Sequence, residues 1–161
     1  MDEEKLAPLL EQINKLHARH ALYGNTPTDY FEPGMMEYLD QSDGSYDPET
    51  GEIVLRFESR GTRYDGRTEQ IEKVAVDDAI RITRDPENPF NHNNFRLLTA
   101  KGSDVGNMPA ELCNAIAPLY DAGLLTFEDA HVSYVEPISK RNRHAKQAVL
   151  FVKLKASTEA Q

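Results

Sequence analysis

From residue 35 onward the chain is built of short alternating apolar runs broken by turns rich in glycine and proline, and this pattern constrains the fold more than any other feature. Successive side chains of a strand point to opposite faces, so Ile53, Leu55 and Phe57 share one face while Val54, Arg56 and Glu58 share the other. The preceding Asp47-Pro-Glu-Thr-Gly51 has Pro and Gly where a hairpin turn uses them. Ile80 and Ile82 alternate with Arg81 and Thr83, and residues 95–99, 132–135 and 148–154 are further strand candidates. A single helix interrupts the strands. It opens at Pro109, where a missing amide is harmless, directs Leu112, Ile116 and Leu119 to a core, and ends at Gly123. Pro118 removes the hydrogen bond to the Asn114 carbonyl and predicts a kink or a restart. Cys113 reads as a small apolar residue of this helix.

Ahead of the strands, Leu6, Leu9, Leu10, Ile13 and Leu16 recur at three- and four-residue steps, which predicts an amphipathic helix over residues 2–21 with Asp2 as its cap. An irregular connector with a boundary near residue 34 follows. The predicted organisation is a helix and connector over 1–34, a β-barrel domain over 35–157 and a tail over 158–161. Strands and helices do not alternate regularly, so a doubly wound parallel sheet is disfavoured. The fold class expected is α+β, mainly β: a small, partly open barrel of the OB or SH3 kind with one inserted helix and an N-terminal amphipathic helix. The length of 161 residues suits one core.

Charge narrows the function. The net charge of -9 disfavours generic polyanion or membrane-surface binding. It is unevenly distributed, with -8 over residues 1–60, -6 over 61–136 and +5 over 137–161. Lys140, Arg141, Arg143 and Lys146 form a basic run, with His144 among them, which reads as a solvated loop or as a phosphate contact. The single cysteine rules out an internal disulfide. No stretch reaches the roughly 20 apolar residues of a membrane span, and the start lacks a secretory pattern, so a cytoplasmic location is expected.

Catalytic signatures are missing. The sequence has no phosphate-binding Gly-Lys-Ser/Thr loop, no dinucleotide glycine motif, no Gly-x-Ser-x-Gly elbow and no His-Glu-x-x-His. The acidic stretch from Asp40 to Glu52 fails as a calcium loop, because either candidate glycine puts Leu39 or Tyr46 at the first ligand position. His17 and His20 have no further zinc ligands nearby. Neither cofactor nor metal is expected. A hydrolase using Asp77, Asp78 and Asp85 with a divalent ion is a third-ranked reading, since acidic turns explain those residues more simply.

Two segments carry recognition chemistry. Gly61-Thr-Arg63-Tyr64-Asp65-Gly66 presents a flat cation and an aromatic ring between glycines, a pair able to stack on a base and meet a phosphate. The second runs Arg84-Asp-Pro-Glu-Asn88-Pro89-Phe90-Asn91-His-Asn93, a rigid turn followed by a ring and carboxamides that donate and accept. Taken alone, both also suit purely structural turns, with Phe90 a buried anchor and Tyr64 on the barrel rim.

Their order, followed by Val105-Gly106-Asn107-Met-Pro-Ala110 and the helix ending Ala117-Pro-Leu-Tyr-Asp, resembles the HIRAN domain over about residues 52–154. The resemblance implies an OB-like barrel that captures the 3′-hydroxyl end of single-stranded DNA. It implies that Tyr64 stacks on the terminal base, that Arg63 meets the backbone, and that Asn88, Phe90, Asn91 and Asn107 complete the pocket; Asn93 joins them as a candidate contact by its carboxamide. Phe90 stands where the family has Tyr, and Asn91 where it has the Asp that accepts the sugar hydroxyl. Asn107 replaces a His, Ala110 a basic residue and Asp65 a second aromatic. These departures predict a weaker end-binder with relaxed end chemistry. The alternative is a protein-interaction or scaffold module that keeps the barrel without the DNA and docks or self-associates through helix 2–21.

Overall fold

The computed structural model describes residues 8, 11, 12, 15, 45–47, 49–138 and 146–158. Its strands form two antiparallel sheets. Strands β1 (Ser45–Asp47), β2 (Glu52–Glu58), β6 (Leu125–Glu136) and β7 (Val149–Thr158) make a four-stranded sheet in the order β1-β2-β7-β6. Strands β3 (Ile80–Arg84), β4 (Phe95–Thr99) and β5 (Asp104–Asn107) make a three-stranded sheet in chain order. Helix α1 (Arg67–Ile71) lies between β2 and β3, and α2 (Ala110–Asp121) between β5 and β6. The sheets stay open but are stitched together at two isolated bridges, Arg60 to Asn107 and Ala79 to His131. This is the mainly β, partly open barrel expected.

The core follows from the period of two. Ile53, Leu55 and Phe57 are buried on β2, and Leu150, Val152, Leu154 and Ala156 on β7 across from it. Helix α2 adds Leu112, Cys113, Ile116 and Leu119. Phe95, Tyr120 and Phe127 close the core in a ring cluster with centroids 4.9 to 5.3 Å apart. Burial pushes the Cys113 thiol up to about 12, so it is an inert apolar group rather than a nucleophile.

The Asp47–Gly51 turn closes the β1–β2 hairpin as expected, with the Gly51 amide donating to the Asp47 carbonyl at 2.8 Å. Helix α2 does not restart at Pro118; it runs through to Asp121 with the proline inside. It ends at left-handed Gly123, whose amide donates to Tyr120 while that of Leu124 donates to Leu119, a Schellman arrangement. Three elements differ from the sequence reading: α1 and β5 are additional, and β6 is three times the length expected. Bulges between Phe127 and Asp129 and between Val132 and Tyr134 interrupt its alternation. Most of the helix expected over 2–21 lies outside the described residues, as do His17 and His20; Pro8, Glu11, Gln12 and Lys15 are helical.

Candidate functional site

The chain leaves β2 through Ser59, whose hydroxyl donates to the Val105 carbonyl at 2.8 Å, and Arg60, which exchanges backbone hydrogen bonds with Asn107 at 2.9 and 3.0 Å. This anchors the following turn against β5. Gly61, Asp65 and Gly66 all take positive φ, which reverses the chain sharply enough to expose Arg63 and Tyr64 at its tip. The turn is tied from below. Thr62 Oγ1 donates to the Ala148 carbonyl at 2.9 Å, and Thr68 Oγ1 donates to the Thr62 carbonyl at 2.8 Å while accepting from the Ala148 amide at 3.3 Å. Lys146, exposed, therefore sits two residues from the base of this turn, whereas Lys140, Arg141 and Arg143 lie outside the described residues.

The second turn is held by its own amides. Asn88 Oδ1 accepts from the amides of Phe90 at 2.9 Å and Asn91 at 3.2 Å, and its Nδ2 donates to Asp85 Oδ2 at 3.2 Å. Asp85 is the hub: its Oδ2 also accepts from Asn94 Nδ2 at 3.1 Å and from the Arg96 guanidinium at 3.3 Å. Burial works to raise the Asp85 pKa, but the hydrogen bonds from Asn94 and Asn88 and the charge of Arg96 outweigh it and hold the carboxyl below its ordinary value. Asn94 passes the linkage on, donating to Asn107 Oδ1 at 3.0 Å.

These two turns converge. Gly61, Tyr64, Asp65, Arg67, Asn88, Phe90 and Asn107 line one open cleft of about 500 Å³. Tyr64 is 59% exposed and Phe90 94% exposed, so both rings are free to meet a ligand and neither is the buried anchor that a purely structural turn would use. Arg63 is not a lining residue; its guanidinium carbon lies 5.4 Å from the Tyr64 ring centroid, stacked on it. Asn91 and Asn93 are also outside the cleft. Asn91 Oδ1 accepts from the Asn93 amide at 2.9 Å, and Asn93 Nδ2 donates to Asn114 Oδ1 on α2 at 3.2 Å. Asn88 reaches the cleft, but its carboxamide is spent on shaping the Phe90 turn.

Sequence reasoning missed Arg67, the cation of the cleft. Its side chain is only 7% exposed and forms a fork with Asp104, Nε to Oδ1 at 3.0 Å and Nη2 to Oδ2 at 3.1 Å, while Nη1 donates to the Gly61 carbonyl at 3.1 Å. Nothing local marks it, because its partner is far away in sequence. A Cβ at Gly61 would lie 2.9 Å from Arg67 Nη1 and 3.4 Å from Asn107 Nδ2, so glycine is what lets these two donors approach the backbone. Among the described residues no group of three or more His, Cys, Asp or Glu side chains is placed to hold a metal ion. No described helix is long and apolar enough to cross a membrane.

The HIRAN domain profile matches residues 53–153, more than half of the chain and all of this cleft. The chain belongs to the HIRAN domain family. Among solved structures, this HIRAN chain is similar to the human HLTF HIRAN domain, with 22% identity over 68% of this chain and 82% of that one and a TM-score of 0.49. It is also similar to a Lactobacillus plantarum protein, with 17% identity over 65% and 98% of the two chains and a TM-score of 0.48. A third similar structure is the HLTF HIRAN domain in its DNA-bound conformation, with 23% identity over 66% and 76% and a TM-score of 0.44. Comparison with curated proteins gave no significant match.

Proposed function

We propose that this HIRAN chain is a non-catalytic nucleic-acid-binding module that captures the 3′ end of single-stranded DNA with relaxed discrimination of the end's chemistry. The observation that carries the reading is the convergence of two exposed aromatic rings, Tyr64 and Phe90, on one cleft. Every base has a π-face, so a pair of rings on a polar notch binds an unpaired base without needing its identity. Membership of the HIRAN family supports the ligand class, since an HLTF HIRAN domain is described in a DNA-bound conformation. Arg63, stacked over the Tyr64 ring, and the exposed Lys146 would meet the backbone that leaves the cleft.

Relaxed end chemistry rests on two placements. The amide at position 91 is turned into its own loop, and the carboxylate on the cleft is Asp65, whose side chain is 75% exposed. Water and salt screen a carboxylate so placed, and it repels a terminal phosphate only modestly. Fluorescence anisotropy with labelled single strands ending in a 3′-hydroxyl or a 3′-phosphate tests this, alongside Tyr64→Ala. The expected result is less than about tenfold preference between the ends; since 1.4 kcal/mol corresponds to tenfold, a preference of about a hundredfold would require a buried charge and refutes relaxed chemistry.

One observation favours the second reading, a protein-interaction module that keeps the fold without the DNA: the cleft's cation, Arg67, is already neutralised by Asp104. Wild-type protein that binds no oligonucleotide at low salt selects that reading. Under the first reading the chain serves as an accessory in DNA repair or processing that directs a helicase or nuclease carried elsewhere, in the cytoplasm.

A further inference from the structure

A second cavity, of about 260 Å³, is lined by residues that adjoin the Arg67–Asp104 pair in the chain, Gln70 on α1 and Ser103 just before β5. Arg67 lines the first cleft and Gln70, three residues on and on the same face of α1, lines the second. On the facing wall, Asn107 belongs to the first cleft while Ser103 and Thr99 belong to the second. Asn107 ends β5 and Ser103 immediately precedes it, four residue steps apart or roughly 13 Å in extended conformation.

The second cavity is lined by two lysines, Lys73 and Lys101, two hydroxyls, Thr99 and Ser103, and a single acid, Asp78. Asp78 is already engaged, its Oδ2 accepting from the Ala75 amide at 2.9 Å. Thr99 Oγ1 accepts from the Ser103 amide at 3.1 Å, which leaves its hydroxyl proton to donate. Arg67, Arg84 and Arg96 are each bound to a carboxylate, whereas neither Lys73 nor Lys101 forms an ion pair with a described residue. In a chain with a net charge of -9, a concavity with two ammonium groups against one carboxylate, and with two hydroxyls in its lining, has the chemistry of an anion subsite.

Building on the end-binding function above, we propose that this cavity holds a backbone phosphate of the same strand, a few nucleotides from the end seated between Tyr64 and Phe90. That phosphate would be neutralised by Lys73 and Lys101 together, and the strand would run along the α1–β5 seam. Asn107 and Ser103 then mark its two ends.

The test uses the full chain with Lys73 and Lys101 both changed to Gln, exposed positions whose loss leaves the thermal midpoint unchanged. Binding of a dinucleotide and of a longer homopolymer is measured over salt from about 50 to 200 mM. Each phosphate neutralised on a single strand contributes a slope of about -0.7 in log affinity against log salt, so losing this one changes the slope by about 0.7, or roughly 2.6-fold across that range. The expected result is a shallower slope and weaker binding for the long strand only, with the dinucleotide unaffected and with Tyr64→Ala weakening both. A second arm titrates millimolar inorganic phosphate against the wild type and follows the Ser103 and Lys101 amide resonances; shifts without any change in the long-strand slope mean a free-phosphate site and overturn the strand path. An unchanged slope in the double variant overturns the subsite while leaving end binding intact. A wild type that binds neither strand overturns both.

Discussion

Replacing Phe90 with alanine separates folding from recognition. The ring is 94% exposed, so about six hundredths of its surface is lost to the fold. Full burial of a Phe side chain stabilises a protein by roughly 1.5 to 3 kcal/mol, which makes the folding contribution of this ring about 0.1 to 0.2 kcal/mol. Its turn is shaped by Asn88 and the backbone amide of residue 90, both of which alanine keeps. Stacking of one base on an aromatic ring is worth roughly 1 to 3 kcal/mol, equivalent to about a 5- to 150-fold change in affinity. The variant should therefore melt with the wild type in calorimetry or denaturant titration, and bind a short 3′-hydroxyl strand at least about fivefold more weakly in anisotropy. Unchanged affinity together with an unchanged midpoint would refute the claim that this ring is a stacking surface.

Three further outcomes bear on the scaffold. Gly106 takes φ of 125°, and a Cβ there would collide with Ser59 Oγ and lie 2.9 Å from the Arg60 carbonyl; Gly106→Ala should cost about 2 to 4 kcal/mol in urea unfolding. Asp104→Ala leaves the buried Arg67 guanidinium without its carboxylate and should cost roughly 3 kcal/mol, whereas Arg67→Met with Asp104→Leu should recover much of that loss. The pKa of Asp85 is depressed in the folded state, so its contribution is complete above the ordinary carboxylate pKa and disappears as pH falls through the lowered one. Amide protection factors in the 88–94 loop, taken relative to an unstructured amide at the same pH, should fall in that acidic window in the wild type, and Asp85→Asn should show the lower protection already at neutral pH.

Much of the scaffold was readable because one physical signal dominated locally. Strands β2, β3, β4 and β7 carry clean alternation, and the Asp47–Gly51 turn has the residues a hairpin needs. Helix α1 was not readable: one and a half turns with only Arg67 and Ile71 buried leave no period to detect. Strand β5 is Asp-Val-Gly-Asn, with a single large apolar residue and a glycine that argues against a strand. Most of β6 was hidden by Glu128, Asp129 and the bulges that shift its alternation. Glycine and proline punctuation revealed both turns of the cleft. Their convergence depends on the Arg60–Asn107 bridge and the Arg67–Asp104 pair, which join segments distant in sequence and have no local signature. Asn91 and Asn93 stood out in the sequence by their chemistry, and the bonds they make in the structure, Asn91 to the Asn93 amide and Asn93 to Asn114, have no sequence signature.

The Asx turn at Asn88 has an evolutionary corollary. Because it fixes the backbone of residue 90 without using that residue's side chain, folding places almost no demand on what stands there. Selection can exchange the benzyl group for a phenol, an indole or an aliphatic chain and tune how long a strand is held, with no compensating change in the barrel beneath.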